Sequence, residues 1–486
     1  MPLTDPLLGI TGFGCYLPRG RMLRSAIFAA NGWFAPNLKS LAKGERSFAG
    51  WDEDAVTMAV EAGRCCLGSR HGEEVGQLVF ASVSAPFADR QGSGIVKEAL
   101  DLPDTVSTID MGGSIRSGLS AMIGALERRS DRATLIVASD RRKARPASEA
   151  EMTLGDGAAA ILVGAHDPIA TLIGHASISA DFVDHFRSPG RVADYEWEAR
   201  WIRDEGYGGI VRRAIEAALA QAGLSADDVD HLIVPASAAI AGFVAKACGI
   251  GPHSVVDPLT GMVGQTGSAH PLLMLNAVLG KAAAGEVILV TGFGSGCDAC
   301  LLRTSDAIET RRPTASLDGW LARRIAVDHY PRFLAVGGML EVERGMRAEI
   351  ESKQPLTALY RNRRTVLGLV GTRGRETGSV QYPPSPIPLD GSAADEVQDA
   401  YRLADRPARI QSFTIDNLAY SPDPPTYYGA IEFDGGGRMT AEFCDMEPGD
   451  AVVGREMRMM FRIKSIDESR GFVRYFWKAA PGFQGQ

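Results

Sequence analysis

The sequence contains no uninterrupted apolar run of about 18 residues, the length that a membrane-spanning helix requires. Its beginning, Met1 to Arg19, lacks the basic start and long apolar run of a signal peptide. Basic residues are not in excess, because the formal net charge is −8, whereas nucleic-acid binders cluster Lys and Arg against phosphates. We therefore expect a cytoplasmic protein that binds neither membranes nor nucleic acid.

Cysteine is also sparse, and its spacing is irregular. An odd number of scattered cysteines does not fit a disulfide framework and is typical of reduced thiols. One CxxC spacing occurs, at Cys297 and Cys300, and the absence of a second such pair argues against a zinc site there. The seven cysteines are Cys15, Cys65, Cys66, Cys248, Cys297, Cys300 and Cys444.

The first three hundred residues alternate between short apolar runs and Ala-rich segments with helical periodicity, which is typical of a layered α/β fold. A chain of 486 residues exceeds what one core usually supports, so two or three domains are expected. The predicted strands are Leu78–Ala81, Thr134–Ala138, Ala159–Val163, His231–Val234 and Val287–Val290. The predicted helices are Glu53–Cys66, Arg116–Arg128, Gly209–Gln221, Ala241–Cys248 and Pro271–Lys281.

This pattern occurs twice, which indicates a duplicated core. Each half has a strand, a small-residue turn that opens a helix, and a late Gly-rich strand pair, at 155–164 and at 292–302. We place the N-terminal half at 1–165 and the C-terminal half at 166–305.

Residues 306–486 have a different pattern of residue types. Residues 306–355 are charged and helical and are predicted to be a connector, and residues 356–400 contain a Pro- and Gly-punctuated hairpin. Residues 401–486 contain about five short strands with no long helix, which favours a small barrel. A DGGG turn at 434–437 is predicted to join two of these strands as a hairpin.

Several segments resemble the hydroxymethylglutaryl-CoA (HMG-CoA) synthase branch of the thiolase superfamily over residues 8–305. They are ITGFGCYLPRGR, GWDEDAVTMAVEAG, SAPFADRQGSGIVKEAL, LGDGAAAILVG, GQTGSAHPLLMLNAVL and ILVTGFGSG. Residues 356–486 resemble the OB-fold proteins that accompany acyl-CoA thiolases, through GSVQYPPSP, LAYSPDPPTYYG and MMFRIKSIDESRGFVRYFWKAAP. The resemblance implies a five-layer αβαβα fold with a fused OB-fold barrel, a CoA thioester substrate, Claisen- or aldol-type chemistry and a homodimer.

The sequence departs from this family at the positions that carry its chemistry. The family has a nucleophilic cysteine at the start of the helix that here follows DMGGS, where this chain has Ile115 beside Ser114. The family's Glu aligns with Val83, and its active-site His falls near Val234 and Pro235. A cysteine-bound acyl-enzyme is therefore not expected.

The surroundings of the site are retained. Gln265 aligns with a family Asn that hydrogen-bonds the acyl oxygen, and Gly294 and Ser295 fall on the loop that lines the oxyanion pocket. Ile115 would line the same pocket. His270, in a Gly-rich turn that opens a helix, is a candidate base, with a capping or interface role as the alternative. We expect His270→Ala to lower turnover at least about tenfold with folding intact.

Other polar residues leave alternatives open. Ser114 is a nucleophile, a hydroxyl that holds a water molecule, or a helix cap, and an unassisted serine is a poor nucleophile. Arg141 and Arg142 belong to a basic cluster that either binds CoA phosphates or forms a solvated loop. Asp156 is predicted to be a structural turn residue.

We expect no resident cofactor and no zinc, with coenzyme A present as part of the substrate. Related OB-fold proteins carry a four-cysteine zinc ribbon, and structural zinc needs such thiolate sets. The corresponding positions here are Gly374, Thr377, Pro388 and Gly391.

Three functions compete. The leading hypothesis is an enzyme that cleaves or forms a carbon–carbon bond of a β-oxo- or β-hydroxyacyl-CoA without a cysteine, with an aromatic or bulky degradation intermediate as a plausible substrate. The second is a synthase or acyltransferase with a relocated nucleophile, Ser114 or Cys297. The third is a non-catalytic acyl-CoA-binding subunit.

Overall fold

A computed structural model describes residues 8–68, 75–128, 130–312, 316–348, 353–391 and 397–482. The chain forms two compact units. The first comprises the residues up to Gly50 together with Asp54–Gly94 and Pro103–Gly337. The second comprises Trp51–Glu53, Ile95–Leu102 and the residues from Gly338 onward.

Strands of the first unit form one large sheet and two small ones. They are β1 (Gly9–Tyr16), β2 (Gly20–Leu23), β3 (Glu45–Phe48), β4 (Val75–Ala81), β5 (Ser107–Met111), β6 (Ala133–Asp140), β7 (Gly157–Gly164), β8 (Ala170–Ser179), β9 (His185–Phe186), β10 (Tyr195–Glu196), β11 (His231–Ile233), β12 (Val287–Phe293), β13 (Gly296–Thr304) and β14 (Ile325–Val327).

The large sheet has nine strands in the order β11-β12-β13-β8-β1-β7-β6-β4-β5. Its two halves repeat one pattern, because β6 and β12 each pair in parallel with one neighbour and antiparallel with a strand that returns along the chain. A short pairing of β1 with β8, at Gly9 with Thr171 and Ile10 with Ala170, joins the halves. The predicted duplication is therefore confirmed.

Helices cover the sheet in layers. They are α1 (Arg24–Asn31), α2 (Ala55–Leu67), α3 (Gly92–Ala99), α4 (Ser117–Glu127), α5 (Glu149–Thr153), α6 (Ala199–Trp201), α7 (Arg212–Ala222), α8 (Ala238–Ala247), α9 (His270–Leu279), α10 (Leu317–Ala322) and α11 (Tyr330–Val336). Short 3-10 helices occupy Pro36–Leu41, Ala226–Asp228, Pro252–Ser254, Gly267–Ala269 and Asp306–Glu309, and Ile202–Val211 is π-helical.

The layers follow from which strands each helix contacts. Helix α2 packs on β1, β6 and β7, and α7 packs on β8 and β13. Helices α4 and α9 contact each other and strands of both halves, so they form the central layer. This arrangement is the predicted αβαβα fold.

Continuous apolar runs explain the central strands. Every residue of β6 and β7 is buried, as expected for strands covered by helices on both faces.

Helix α2 begins at a capping box, in which Asp54 accepts from the Thr57 amide and the Thr57 hydroxyl accepts from the Asp54 amide. The predicted strands and helices of this region all exist, with ends shifted by a few residues.

The predicted connector, 306–355, is divided between the two units. Strand β14 pairs in parallel with β2, and Trp320 of α10 lies edge-on to Tyr16 at 4.7 Å between ring centroids. Residues up to Gly337 thus belong to the first unit. Residues 313–315 and 349–352 of this segment lie outside the described residues.

The second unit contains short helices, a small sheet and a barrel. Met346–Ala348 is a 3-10 helix, and the other elements are α12 (Leu356–Arg361), α13 (Arg363–Val366), β15 (Val370–Gly374), β16 (Val380–Gln381), β17 (Gln398–Arg402), β18 (Ala408–Asp416), β19 (Thr426–Phe433), β20 (Arg438–Phe443), β21 (Glu456–Asp467) and β22 (Phe472–Pro481). Strands β18 to β22 close into a barrel in the order β18-β19-β20-β22-β21, which confirms the predicted five-stranded barrel.

Gly374 ends β15, and Thr377 lies in the turn toward β16, where its hydroxyl accepts from the Ser379 amide at 3.2 Å. Strand β15 pairs with both β16 and β17. Residues 392–396, within the predicted hairpin region, lie outside the described residues.

Candidate functional site

The start of α4 meets the loop between β12 and β13. The Ser114 hydroxyl donates to the Gly294 carbonyl at 2.7 Å and accepts from the Arg116 amide at 3.3 Å. A Cβ on Gly294 would lie 2.7 Å from Ser114 Oγ and 3.0 Å from Ile115 Cγ1, so only glycine permits this approach. The structure thus brings together Ser114, Ile115, Gly294 and Ser295.

Two backbone amides at this junction have no hydrogen-bond partner among the described residues: those of Ile115 and Ser295. The Gly294 amide is occupied, because it donates to the Gly296 carbonyl at 2.9 Å. Ser295 is exposed and has a left-handed backbone, with φ of 48°, a conformation that costs free energy for a residue other than glycine. Such free amides can stabilise negative charge on an acyl oxygen.

The Ser114 hydroxyl joins the start of α4 to the loop between β12 and β13. Its proton is committed to the Gly294 carbonyl, which is not a base that could activate the hydroxyl. The next turn is fixed by Arg116, whose Nη1 lies 2.8 Å from Asp298 Oδ1, and by the Ser120 hydroxyl, which donates to the other Asp298 oxygen. Asp298 is buried.

Gln265 is oriented from one side by protein groups. Its Oε1 accepts from Arg142 Nη1 at 2.8 Å and from the Gly267 amide at 3.0 Å. Gln265 is half-buried, and no hydrogen bond is recorded for its side-chain nitrogen within the part of the chain that the structure describes. A substrate oxygen could therefore accept a hydrogen bond from this amide group.

Arg141 and Arg142, which the sequence predicts either to bind CoA phosphates or to form a solvated loop, both contact protein groups. Arg142 is buried, and its Nε lies 2.6 Å from Asp194 Oδ2. Arg141 is half-buried and donates through Nη2 to the Val336 carbonyl at 3.1 Å. The Arg142–Asp194 ion pair holds the guanidinium that donates to Gln265 Oε1, so Arg142 positions Gln265. A buried guanidinium bound to a carboxylate is not open to a solvated phosphate.

His270 lies in the interior, not at the Gly294 junction. Nδ1 accepts from the Thr266 amide at 3.2 Å, and Nε2 donates to the Pro258 carbonyl at 3.0 Å. The side chain is inaccessible to solvent, and burial lowers its pKa to about 4. With both nitrogens occupied by the backbone, the geometry does not support His270 as a base.

Sequence reasoning missed Asp140, which ends β6. Its carboxylate accepts five hydrogen bonds: three on Oδ1, from the Ser82 hydroxyl, the Val83 amide and the Ser84 hydroxyl, and two on Oδ2, from the Ser268 amide and hydroxyl. These bonds tie the loop that carries Val83 to the turn that follows Gln265. The three segments are remote in sequence, so no local pattern reveals the cluster.

Sequence reasoning also missed the β9–β10 hairpin. Asp194 accepts from Arg142 and from Arg187 Nη1, each at 2.6 Å, and Arg187 Nη2 donates to the Val83 carbonyl. Beside it, His185 Nδ1 lies 2.7 Å from Asp184 Oδ2. A dense run of charged residues without apolar periodicity, at 181–198, was the available signal.

An aromatic cluster lies behind the Gly294 loop. Phe293 packs against Phe182 and Tyr207, with ring centroids 5.7 and 4.8 Å apart, and Trp201 stacks on Phe182 at 5.6 Å. Burial raises the pKa of Tyr207. Phe293 and Phe182 belong to the buried core, and only Trp201, which is nearly half exposed, offers an apolar surface to solvent.

The cysteine thiols are poorly suited to nucleophilic attack. Cys297 is buried, its Sγ lies 3.4 Å from the Asp298 carbonyl, and burial raises its pKa. Burial also raises the pKa of Cys15 and of Cys300. The thiolate is the reactive species, so these environments suppress reactivity.

Two kinds of feature are absent from the residues that the structure describes. Among them, no group of three or more His, Cys, Asp or Glu side chains is arranged to hold a metal ion. No helix formed by them is long and apolar enough to cross a bilayer.

Comparison with known proteins agrees with this geometry. An HMG-CoA synthase from Aeropyrum pernix is 31% identical over 347 residues, which cover 69% of this chain and 96% of that protein. The chain belongs to the HMG-CoA synthase family. Another family member, from Pyrococcus horikoshii, is 27% identical over 68% of this chain and 95% of its own.

Family models and solved structures match the two parts of the chain. Residues 219–304 match the 3-oxoacyl-[acyl-carrier-protein] synthase III C-terminal model, and residues 401–462 match the model for the C-terminal OB-fold domain of ChsH2. A crystal structure of HMG-CoA synthase complexed with CoA has a TM-score of 0.59, with 18% identity over 71% of this chain and 95% of that one. The 3-oxoacyl-(acyl carrier protein) synthase III of Pseudomonas aeruginosa has a TM-score of 0.55, with 21% identity over 62% and 98%. These structures show the thiolase-like fold, and the family model shows the OB fold.

Proposed function

We propose that the chain is an acyl-CoA enzyme that cleaves or forms the carbon–carbon bond next to a thioester without a cysteine-bound intermediate. The coarser part, thiolase-superfamily chemistry on CoA thioesters, is supported by its HMG-CoA synthase relatives. The finer part rests on one observation. Ile115 stands at the position of the family's nucleophile, next to the Gly294 loop. The backbone amides of Ile115 and Ser295 have no hydrogen-bond partner among the described residues.

The chemistry needs those amides and a base. In a retro-aldol cleavage, a base removes the β-hydroxyl proton, the Cα–Cβ bond breaks, and its electron pair moves to the thioester oxygen. The Ile115 and Ser295 amides stabilise that enolate. Protonation at Cα releases acyl-CoA, while the β-carbon leaves as a carbonyl compound. A β-oxoacyl-CoA reacts in the same way after water adds to its β-carbonyl. The fragment that contains the β-carbon then leaves as a carboxylic acid.

Two alternatives are weaker on the contacts. A relocated nucleophile would be Ser114 or Cys297, but the hydroxyl is committed to the Gly294 carbonyl and the thiol is buried. A non-catalytic binding subunit would have no use for the Ile115 and Ser295 amides, which have no hydrogen-bond partner among the described residues. The contacts therefore favour the lyase proposal.

The substrate and assembly are part of the same proposal. The exposed ring of Trp201, which stacks on Phe182, suits contact with an apolar, bulky acyl group such as an aromatic degradation intermediate. We propose no resident cofactor and no zinc, with CoA entering as part of the substrate. Strand β5 is the edge of the nine-stranded sheet and leaves Ile109 exposed, which suits pairing with a second copy in a homodimer.

The experiment is a panel of β-hydroxyacyl- and β-oxoacyl-CoAs of increasing acyl size, offered to the purified full-length chain. Mass spectrometry of each sample would read both the CoA products and the intact protein. We expect a shortened acyl-CoA and no increase in protein mass. An acyl adduct mapped to Ser114 or Cys297 would establish the synthase alternative, and thioester binding without turnover would establish the binding subunit.

A further inference from the structure

The segment that contains β9 runs between the two sides of the candidate site. At its start, the Ala180 amide donates to the Ser295 carbonyl at 3.4 Å, on the loop that offers the oxyanion amides. At its end, Arg187 donates to the carbonyl of Val83, the position where the family has its Glu. The residues between these anchors therefore connect the Ser295 loop with the loop that carries Val83.

His185 lies between the anchors and is oriented by a carboxylate. Its Nδ1 lies 2.7 Å from Asp184 Oδ2, and the two side chains are 17% and 12% exposed. An ionised carboxylate only accepts hydrogen bonds, so Nδ1 is the donor and Nε2 is the basic nitrogen. Among the described residues no hydrogen bond to Nε2 is recorded, in contrast to His270. An imidazole held in this way is the usual arrangement of a general base.

An acidic residue lies opposite His185 in the hairpin. Glu196 of β10 pairs with His185 of β9 in the strand register. Water reaches the Glu196 side chain, yet desolvation by the surrounding protein raises its pKa against the opposing effects of Arg142 and His185. The backbone of Asp184 is fixed as well, because its carbonyl accepts from the Trp197 amide at 2.9 Å.

We propose that His185, oriented by Asp184, is the acid–base residue of this site and replaces the missing family histidine. The inference rests on the proposed function. In the retro-aldol direction, Nε2 takes the β-hydroxyl proton as the Cα–Cβ electron pair moves to the thioester oxygen, and it then returns a proton to Cα. With acetyl-CoA alone, Nε2 takes a methyl proton, the C–H electron pair moves to the thioester oxygen, and reprotonation restores the thioester.

This partial reaction provides a test that does not require the true substrate. Acetyl-CoA would be incubated with the full-length protein in D2O, and methyl deuterium would be followed by mass spectrometry. We expect wild-type exchange, a loss of about 100-fold or more in His185→Asn, and recovery when imidazole is added to His185→Ala. The matched control is His175→Asn, because His175 also pairs with a carboxylate, Glu127 at 2.9 Å, but lies on β8 away from the site.

A measurement on the unaltered protein guards against misfolding of the variants. Acetyl-CoA should slow the modification of His185 by diethyl pyrocarbonate, mapped by peptide mass spectrometry. Absence of wild-type exchange, full exchange in His185→Asn, or unprotected modification would each overturn the assignment. Exchange that depends on His185 without any carbon–carbon cleavage or condensation would contradict the proposed function and leave the assignment of His185 standing.

Discussion

The hydroxyl of Ser114 hydrogen-bonds the carbonyl of Gly294 across 180 residues of sequence, at 2.7 Å. This bond joins the start of α4 to the loop between β12 and β13, and thereby joins the two halves of the duplicated fold at the site. The amides of Ile115 and Ser295 flank it. In the proposed mechanism, Ser114 therefore orients these two amides and does not attack the thioester.

Ser114→Ala tests this role directly. Loss of one neutral hydrogen bond costs about 1 kcal/mol, so we expect deuterium exchange into acetyl-CoA to fall by about fivefold. Removal of a true nucleophile would abolish turnover instead. Ser117→Ala is the control, since the buried Ser117 hydroxyl has no hydrogen-bond partner among the described residues, and it should leave the rate unchanged. A thousand-fold fall in the exchange rate of Ser114→Ala would contradict this positioning role.

Gly294→Ala should be more damaging than Ser114→Ala. The added methyl would lie 2.7 Å from Ser114 Oγ and 3.0 Å from Ile115 Cγ1, so the loop must move away from the helix and carry the Ser295 amide with it. We expect the exchange rate to fall at least about tenfold, because loss of one oxyanion donor alone costs about 100-fold in established cases. The midpoint of thermal unfolding should change little.

Gly124→Ala is the matched control for that substitution. Gly124 lies in α4, and a Cβ there would meet nothing within 4 Å. An alanine in a helix interior is favoured over glycine by about 0.5–1 kcal/mol. This variant should therefore keep its exchange rate and unfold at a slightly higher temperature. Equal exchange rates in the two glycine variants would show that the Gly294 contact does not shape the site.

Much of the fold was predictable because its signals are local. Strands such as β6 and β7 are buried on both faces and leave continuous apolar runs, and each barrel strand is bounded by turn residues. The Ser114–Gly294 junction was predictable through the family resemblance, which fixed both positions in the sequence.

The remainder of the site depends on contacts between distant segments. The basic cluster around Arg142 predicts a surface cation, yet Arg142 is buried in the structure. Its ion-pair partner, Asp194, lies 52 residues away in the sequence, so no local pattern reveals the pair. His270 occupies a Gly-rich turn at a helix start, and the sequence does not reveal which way the ring points. The Asp184–His185 pair could not be predicted, because strands of two residues are too short to show an alternation of apolar and polar residues.

Asp140→Asn should destabilise the first unit strongly. The carboxylate accepts five hydrogen bonds in the interior, and an amide nitrogen in place of one oxygen turns acceptor contacts into donor–donor contacts. We expect a loss of about 3 kcal/mol or more in the free energy of unfolding, measured with urea.

Asp156→Asn is the comparison for Asp140→Asn. Asp156 is also buried, but its Oδ1 has no hydrogen-bond partner in the part of the chain that the structure describes, and desolvation raises its pKa. Removing a charge that is costly to bury should lower stability by less than about 1 kcal/mol. Similar losses in both variants would mean that burial, and not the hydrogen bonds of Asp140, determines the cost.

His270→Gln should change how stability depends on pH, with a smaller effect on exchange. Burial lowers the His270 pKa from 6.5 to about 4, so between these values the unfolded chain binds a proton that the folded protein does not. The contribution of the neutral histidine is fully present above pH 6.5 and is lost progressively as the pH falls to 4. The full shift corresponds to about 3 kcal/mol.

Glutamine has an amide that can replace the Nε2 donor to the Pro258 carbonyl, and it does not titrate. Urea unfolding of both proteins at pH 7.5, 6.0, 5.0 and 4.5 should therefore show a stability gap that narrows or reverses toward acid pH. Deuterium exchange into acetyl-CoA at pH 7.5 should stay within a few-fold of wild type, because His270 holds the turn after Gln265 and faces no substrate. A constant stability gap combined with a loss of exchange as large as that expected for His185→Asn would return His270 to the mechanism as its base.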